Sequence, residues 1–489
     1  VAKKYLLLIS VFTIAFSCSL FKDTSIAVIQ SDIFLAKKYL KHINKKDLKD
    51  NLTVLSSDEY EGRETTKEGQ KKAAKYIKDF FISNGISSPI KDSYYQQFNV
   101  SVTDYKRIGI KINNEDLEII DHFYVIGSTN DTALKNKELI DVLYGISTEE
   151  YDDYKGKNVN GKIVLINEDI PNNIDPTNSL ESWRKKVQLA KEKGAVGVIC
   201  IKKNYKQSLE VLKPYLLYPE MKMHFNARLK SNLIPYICIS KETHEKFINN
   251  KELSIDIDID ISYEATAENV LGFIKGKTDE LVVISAHYDH LGFDNGQVCN
   301  GADDDGSGTV SLMSIAKAFQ KAYNDGYIPK RSVLFLAVSG EEKGLFGSKY
   351  YTDNPIFPLE NTIANLNIDM VGRIDTVHHD INYIYLIGSD RISKDLHYLS
   401  EQVNKDHIGF DLDYTFNSEN DPNHFYYRSD HYNFAKNGIP VIFYFSGIHK
   451  DYHKPTDDVE KINFEKLEKT AQYVFLTAWE LVNREKRIK

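Results

Sequence analysis

Apolar residues gather along the C-terminal half of the chain in short, nearly unbroken runs. Asn269–Ile274 opens the series, and Leu281–Ala286, Val333–Val338, Ala364–Ile368, Ile384–Ile387 and Val441–Phe445 continue it. Runs without polar alternation mark strands covered on both faces, as in a largely parallel sheet. Between and after them the apolar period lengthens to that of a helix, from Thr309 to Ala322 and from Phe464 to Arg484. In the last segment Leu467, Ala471, Val474, Phe475, Ala478 and Leu481 share one side. Strands alternating with helices predict an α/β fold, a mixed and largely parallel sheet sandwiched by helices.

Upstream, the pattern predicts a helix capped by Asp32 and running through Lys46, and a second from Thr66 to Asn84. The second buries Ala73, Ala74, Ile77, Phe80 and Phe81 and closes at Gly85. A strand over Tyr94–Val102 follows. Residues 106–262 then change character. Gly161–Ile166, Ala195–Ile201 and Ile234–Ile239 read as short strands around a helix from Ser179 to Lys193. This is a small α/β module of its own, set between residues 19–105 and 263–489 of the main domain, and it holds no cluster of metal-ligating side chains.

The first residues belong to neither part. Lys3 and Lys4 precede an apolar run from Tyr5 to Phe16 and then Ser17-Cys18-Ser19. The run is too short to span a bilayer and reads as a secretory signal over residues 1–18. A cysteine behind a small residue at its end reads as a lipoprotein-type site, with Ala15 and Phe16 departing from the usual pattern. Acylated Cys18 would tether the chain to a membrane as a periplasmic or cell-surface lipoprotein. Cys200 and Cys238 lie in apolar runs and read as small buried hydrophobes. Cys299 sits beside an acidic loop as a candidate lining residue. The spacing of the cysteines supports neither a disulfide framework nor a cysteine-based zinc site. The 62 basic and 70 acidic side chains are well mixed, with a net charge of −8 and no long basic run. This argues against a nucleic-acid partner.

Chemistry-bearing residues cluster where strands end. His287 follows Leu281–Ala286, and Asp289, two residues on, shares its face in an extended segment and can orient the imidazole. Asp303-Asp304-Asp305 precedes a helix; three adjacent carboxylates gain little from burial unless cations neutralise them. Glu341-Glu342 follows Val333–Val338. Neighbours in sequence point apart, so one can bind metal while the other faces a substrate. Asp369 is a lone carboxylate within an apolar run, and a buried carboxylate must be paired or bind a metal. His453 and His449 compete for one further ligand position, and spacing alone leaves both open. In open α/β sheets ligands bind outside the carboxyl ends of the strands. Imidazole and carboxylate ligands with a surplus carboxylate point to a metallohydrolase.

The order AHYDHLG (286–292), NGADDDGSG (300–308), SGEEKGLFGS (339–348), NIDMVG (367–372), RSDH (428–431) and YHKPTDD (452–458) resembles the co-catalytic di-zinc aminopeptidases of the bacterial leucyl aminopeptidase type, which are related to glutamate carboxypeptidases. LSSDEYEGR (55–63) resembles their N-terminal segment. NGKIV (160–164) and KGAVG (193–197) resemble a protease-associated (PA) domain inserted in that fold. The resemblance implies two zinc ions bridged by Asp304, with His287 and Asp369 completing one site and Glu342 and His453 the other. It also implies Glu341 as general base, a cis peptide at Asp304–Asp305, and Tyr426, Tyr427 and Asp430 near the substrate. The expected activity is an exopeptidase, foremost an aminopeptidase acting on peptides. The alternatives on the same fold are a carboxypeptidase reading a free C-terminus through Arg373 or Arg428, a one-zinc glutaminyl cyclase, and a non-catalytic receptor-like protein.

Overall fold

The computed structural model describes residues 33–126, 131–171, 182–223, 232–248 and 253–489. Cys18 and the signal segment lie outside them. The described residues form two compact units. One joins the residues up to Phe98 with Thr266–Lys489, and the other is Asn99–Ala265.

The larger unit begins with helices α1 (Lys45–Leu55) and α2 (Glu68–Ser83). A single helix through Lys46 does not form. Asn44 takes an extended conformation, and its Oδ1 accepts from Asp47 N at 3.0 Å, which starts a new helix at Lys45. The chain leaves this unit along β1 (Tyr95–Thr103) and returns along β2 (Ser262–Ile274). There follow β3 (Leu281–His287), α3 (Gly308–Asn324), β4 (Ser332–Val338), α4 (Phe346–Asp353), β5 (Thr362–Ile368), β6 (Tyr383–Ile387), α5 (Lys394–Val403), β7 (Asp411–Asp413), β8 (Val441–Phe445) and α6 (Phe464–Asn483).

The strands are ordered β7-β6-β8-β5-β3-β4-β2-β1. β3 runs parallel to β4 and β5, and β8 runs parallel to β5. β2 is antiparallel to β4, and β6 to β8. Both faces are covered. Val282, Ile284 and Ala286 of β3, with Val333, Phe335 and Ala337 of β4, enter a core with Phe319 of α3 and Phe475 and Trp479 of α6. Leu281, Val283, Leu334, Leu336 and Val338 enter a second core with Tyr351 and Phe434. Two-sided burial is why these strands read as continuous apolar runs. Because β3, β4, β5 and β8 point the same way, His287, Glu341, Asp369 and the loop to His453 all emerge at one edge of the sheet.

The smaller unit contains two sheets. Phe123–Val125, Tyr236–Ile239, Gly197–Ile201, Ile163–Asn167 and Leu139–Asp141 form one in that order, its last four strands parallel. Cys238 and Cys200 face each other in register there as buried free thiols. The other sheet is antiparallel, and in its strand Ile255–Ile259 the isoleucines are buried while Asp258 is exposed. Among the described residues no metal-ligating cluster falls in this unit, and no helix is long and apolar enough to cross a membrane.

Candidate metal centre

The three consecutive aspartates point in three directions. Asp303 Oδ1 accepts from Gly372 N at 2.6 Å, and its Oδ2 is 3.2 Å from His449 Nε2. Asp305 Oδ1 accepts from Gly308 N (2.8 Å), the first residue of α3, and from Met370 N (3.1 Å). Asp304 alone faces the open end of the sheet, and the Asp304–Asp305 peptide is cis. The loop needs glycine at 301, where φ is +53° and a β-carbon would collide with the Asp304 carbonyl oxygen and the His290 ring.

Asp304 offers one oxygen to each of two imidazoles. Its Oδ1 is 3.3 Å from His287 Nε2, and its Oδ2 is 3.2 Å from His453 Nε2. His287 Nε2 is also 3.6 Å from Asp369 Oδ1 and 4.0 Å from Glu341 Oε2. His453 Nε2 is 3.2 Å from Glu342 Oε2. The donor set fits metal: His287, Glu341 and Asp369 in one group, and His290, Asp304 and Glu342 in another, bring one ligand atom each within 4.8 Å of one another. His449 stands apart from both, held by Asp303.

The supporting contacts differ in part from expectation. His287 Nδ1 lies 3.1 Å from the carbonyl oxygen of Asp289 and 3.8 Å from its carboxylate, so a backbone group orients the ring. The Asp289 carboxylate instead accepts from Thr65 Oγ1 (2.8 Å) and from Glu341 N (3.2 Å). Two residues within the motifs have contacts that spacing did not suggest. His290, fully buried, places Nδ1 2.8 Å from Glu342 Oε1, the oxygen that His453 does not use. Ser429 donates to Asp369 Oδ2 at 2.6 Å and accepts from Asn367 Nδ2 at 2.8 Å. Asn367 Oδ1 in turn accepts from Ser285, which accepts from Asn365. Serine and asparagine inside strands buried on both faces are the sequence signal for such a chain, since each needs a partner.

An open cavity of about 350 Å³ lies over the cluster. Phe425, Phe443, Phe445, Ile448 and Met370 line its apolar side, with Arg428 and Tyr452 beside them. Tyr426, Tyr427, Asp430 and Cys299 do not line it. Tyr426 lies under the Arg391 guanidinium, Tyr427 is exposed, and Cys299 is buried. Asp430 is wholly buried with neither carboxylate oxygen hydrogen-bonded, and burial pushes it up to about 7. Arg373 donates to Asp451 Oδ2 at 2.8 Å and lies 3.5 Å from Asp457, so its charge is already engaged.

The electrostatics divide the cluster. Burial raises Glu341 well above the ordinary carboxylate range; Glu342, Asp369 and Asp430 add to this, while His287 opposes it. Burial and Asp304 also push Glu342 upward, but hydrogen bonds to His290 and His453 win and hold it at about 2. Burial disfavours charge on His453, yet Asp304 and Glu342 carry it up to about 10. His287 is likewise raised well above its usual value, against burial, by Glu341, Asp369 and Asp304. Both shifts favour the protonated imidazolium, so a metal bound through either ring would have to displace a proton. Calorimetric zinc titration at pH 7 in buffers of differing ionisation enthalpy is expected to show proton release, with affinity falling as pH is lowered. Proton-independent binding would contradict these imidazoles as ligands.

Residues 269–478 match the profile described as peptidase family M28. This region is similar to peptidase family M28. Residues 135–247, within the smaller unit, match the PA domain. The chain is similar to aminopeptidase YwaD of Bacillus subtilis strain 168, 29% identical over 267 residues covering 52% of this chain and 53% of that protein. A probable leucine aminopeptidase of Arthroderma benhamiae is 27% identical over 228 residues, covering 45% of this chain and 59% of that protein. The chain thus spans just over half the length of these relatives. The aminopeptidase structure from Aneurinibacillus sp. strain AM-1 shares the fold, with a TM-score of 0.51 at 21% identity, covering 92% of this chain and 97% of that one.

Proposed function

We propose that the protein is a zinc-dependent exopeptidase, an aminopeptidase that removes N-terminal residues from peptides. One observation carries this reading: the Asp304 carboxylate presents one oxygen to His287 and the other to His453. In the proposed site His287, Asp304, Asp369, Glu342 and His453 would hold two zinc ions, with His287 and Asp369 on one side of Asp304 and Glu342 and His453 on the other. Bound there, zinc would supply Lewis acidity, making a water more acidic and polarising the scissile carbonyl. Glu341 lines the cavity with its backbone fixed by Asp289, and it takes the proton from the water and returns it to the leaving amine. Ser429 fixes the oxygen of Asp369 that faces away from His287. Phe425, Phe443 and Phe445 offer an apolar surface to the side chain of the residue removed.

In this reading residues 19–105 and 263–489 build the peptidase and residues 106–262 the PA insert. The engagement of Arg373 with two aspartates weighs against a carboxypeptidase, which needs a free cation for the C-terminal carboxylate. Arg428 keeps that alternative testable. A chromogenic substrate with a free N-terminus is expected to be cleaved and its N-acetyl counterpart not. Equal cleavage of both, or cleavage only from the C-terminus, would overturn the assignment. Chelation abolishes and zinc restores activity on this account. Acylation at Cys18 remains part of the proposal, and Cys18→Ser is expected to move the protein from the membrane pellet to the soluble fraction; an unchanged distribution would refute the anchor.

A further inference from the structure

Arg63 is 1% exposed, and its hydrogen bonds all go to backbone carbonyl oxygens. Nε donates to Tyr288 O at 2.8 Å, Nη1 to Leu55 O at 2.9 Å and to Asn300 O at 2.6 Å, and Nη2 to Gly301 O at 2.8 Å. Burying a guanidinium is costly unless its donors are met, so the site is built around this side chain. The carbonyls it reaches are informative. Tyr288 follows His287 directly, and Asn300 and Gly301 open the loop that ends in Asp304. Leu55 is the last residue of α1. One planar fork therefore ties the segment bearing an imidazole of the cluster to the loop bearing the shared carboxylate, and ties both to a helix end.

The neighbours of Arg63 extend the same function. The Arg63 carbonyl accepts from His290 N at 3.2 Å. Thr65 Oγ1 donates to Asp289, whose other oxygen holds Glu341 N. Glu64 Oε1 is 3.2 Å from Lys343 Nζ, beside Glu342. Three residues thus contact all three ligand-bearing segments that follow β3 and β4, from a stretch of chain outside the region matched by the family profile. Burial lowers the pKa of the Arg63 guanidinium, and the carboxylates of Asp289, Asp304, Asp305 and Asp457 oppose that.

We propose that Arg63 is a positioning residue of the metal centre, setting the separation of His287 and Asp304 through its fork of bonds to Tyr288, Asn300 and Gly301. The proposal rests on the zinc-peptidase reading. Lysine keeps the charge but presents its donors from a single point and cannot span these carbonyls.

Full-length Arg63→Lys and Arg63→Gln test it, with the zinc dissociation constant measured by competition with a chromophoric chelator, and kcat and KM measured separately at saturating zinc. Outer partners of metal ligands are commonly worth about 10–100-fold in affinity or activity. Both variants are expected to bind zinc about tenfold or more weakly and to lose about tenfold or more in kcat, with KM changed by less than about threefold. Arg63→Lys with wild-type zinc affinity and kcat would overturn the proposal. So would an Arg63→Lys protein that does not fold even with saturating zinc, since the role would then be one of general stability. A wild type that binds no zinc and cleaves no peptide sinks the peptidase reading itself. A competent wild type beside an unaffected Arg63→Lys sinks only this inference.

Discussion

Glu341→Gln is expected to retain zinc and to lose at least about 10²-fold in kcat, roughly 2.7 kcal/mol of transition-state stabilisation, with little change in KM. The argument lies in how the two adjacent glutamates divide. Glu342 has both oxygens engaged, Oε1 by His290 at 2.8 Å and Oε2 by His453 at 3.2 Å. Glu341 has no comparably close imidazole, the nearest approach being 4.0 Å to His287 Nε2, and it borders the cavity where substrate would sit. Its burial favours the proton it must accept. The competing role is that of ligand, since Glu341 also lies within 4.8 Å of the donor atoms of His287 and Asp369. Zinc content separates the two: loss of an ion in Glu341→Gln would make it a ligand, and wild-type turnover would remove it from the chemistry.

Asp304→Asn is expected to have the larger effect, with activity falling by roughly 10³-fold or more and zinc weakened at both positions together. The carboxylate is 5% exposed and meets one imidazole with each oxygen. An amide keeps its shape but offers only one acceptor. Removing Asp369 should instead disturb one position alone. Metal analysis of the two variants after dialysis checks this, and a variant at 304 that keeps one ion tightly and turns over normally would refute a shared carboxylate.

Much of the frame was legible because burial on two faces leaves a plain mark. The apolar run Leu281–Ala286 predicts a strand and forms one, extended by His287. The apolar pattern predicts neither α4 nor α5. The buried side of α4 includes Gly347, Ser348 and Thr352, small and polar residues that hide its period. In the candidate site, residue types were legible but directions were not. His449 and His453 are equivalent by spacing, and only the folded loop turns His449 towards Asp303. Asp289 lies on the expected face, yet its carboxylate is claimed by Thr65 and Glu341. The cavity wall was illegible because Phe443 and Phe445 come from a buried strand and Phe425 from a short 3-10 turn, Phe425–Tyr427, far from it in sequence. Arg63 was visible within its motif, but its partners are 225 to 238 residues downstream for three of its four bonds.

The central claim is a pair of zinc ions sharing Asp304. Anomalous diffraction at the zinc edge from crystals of the zinc-loaded protein tests it most directly. The account predicts two peaks roughly 3.5–4 Å apart, one between His287 and Asp369 and one between Glu342 and His453, with Asp304 touching both. A single peak, or a pair that leaves Asp304 uncoordinated, would contradict it.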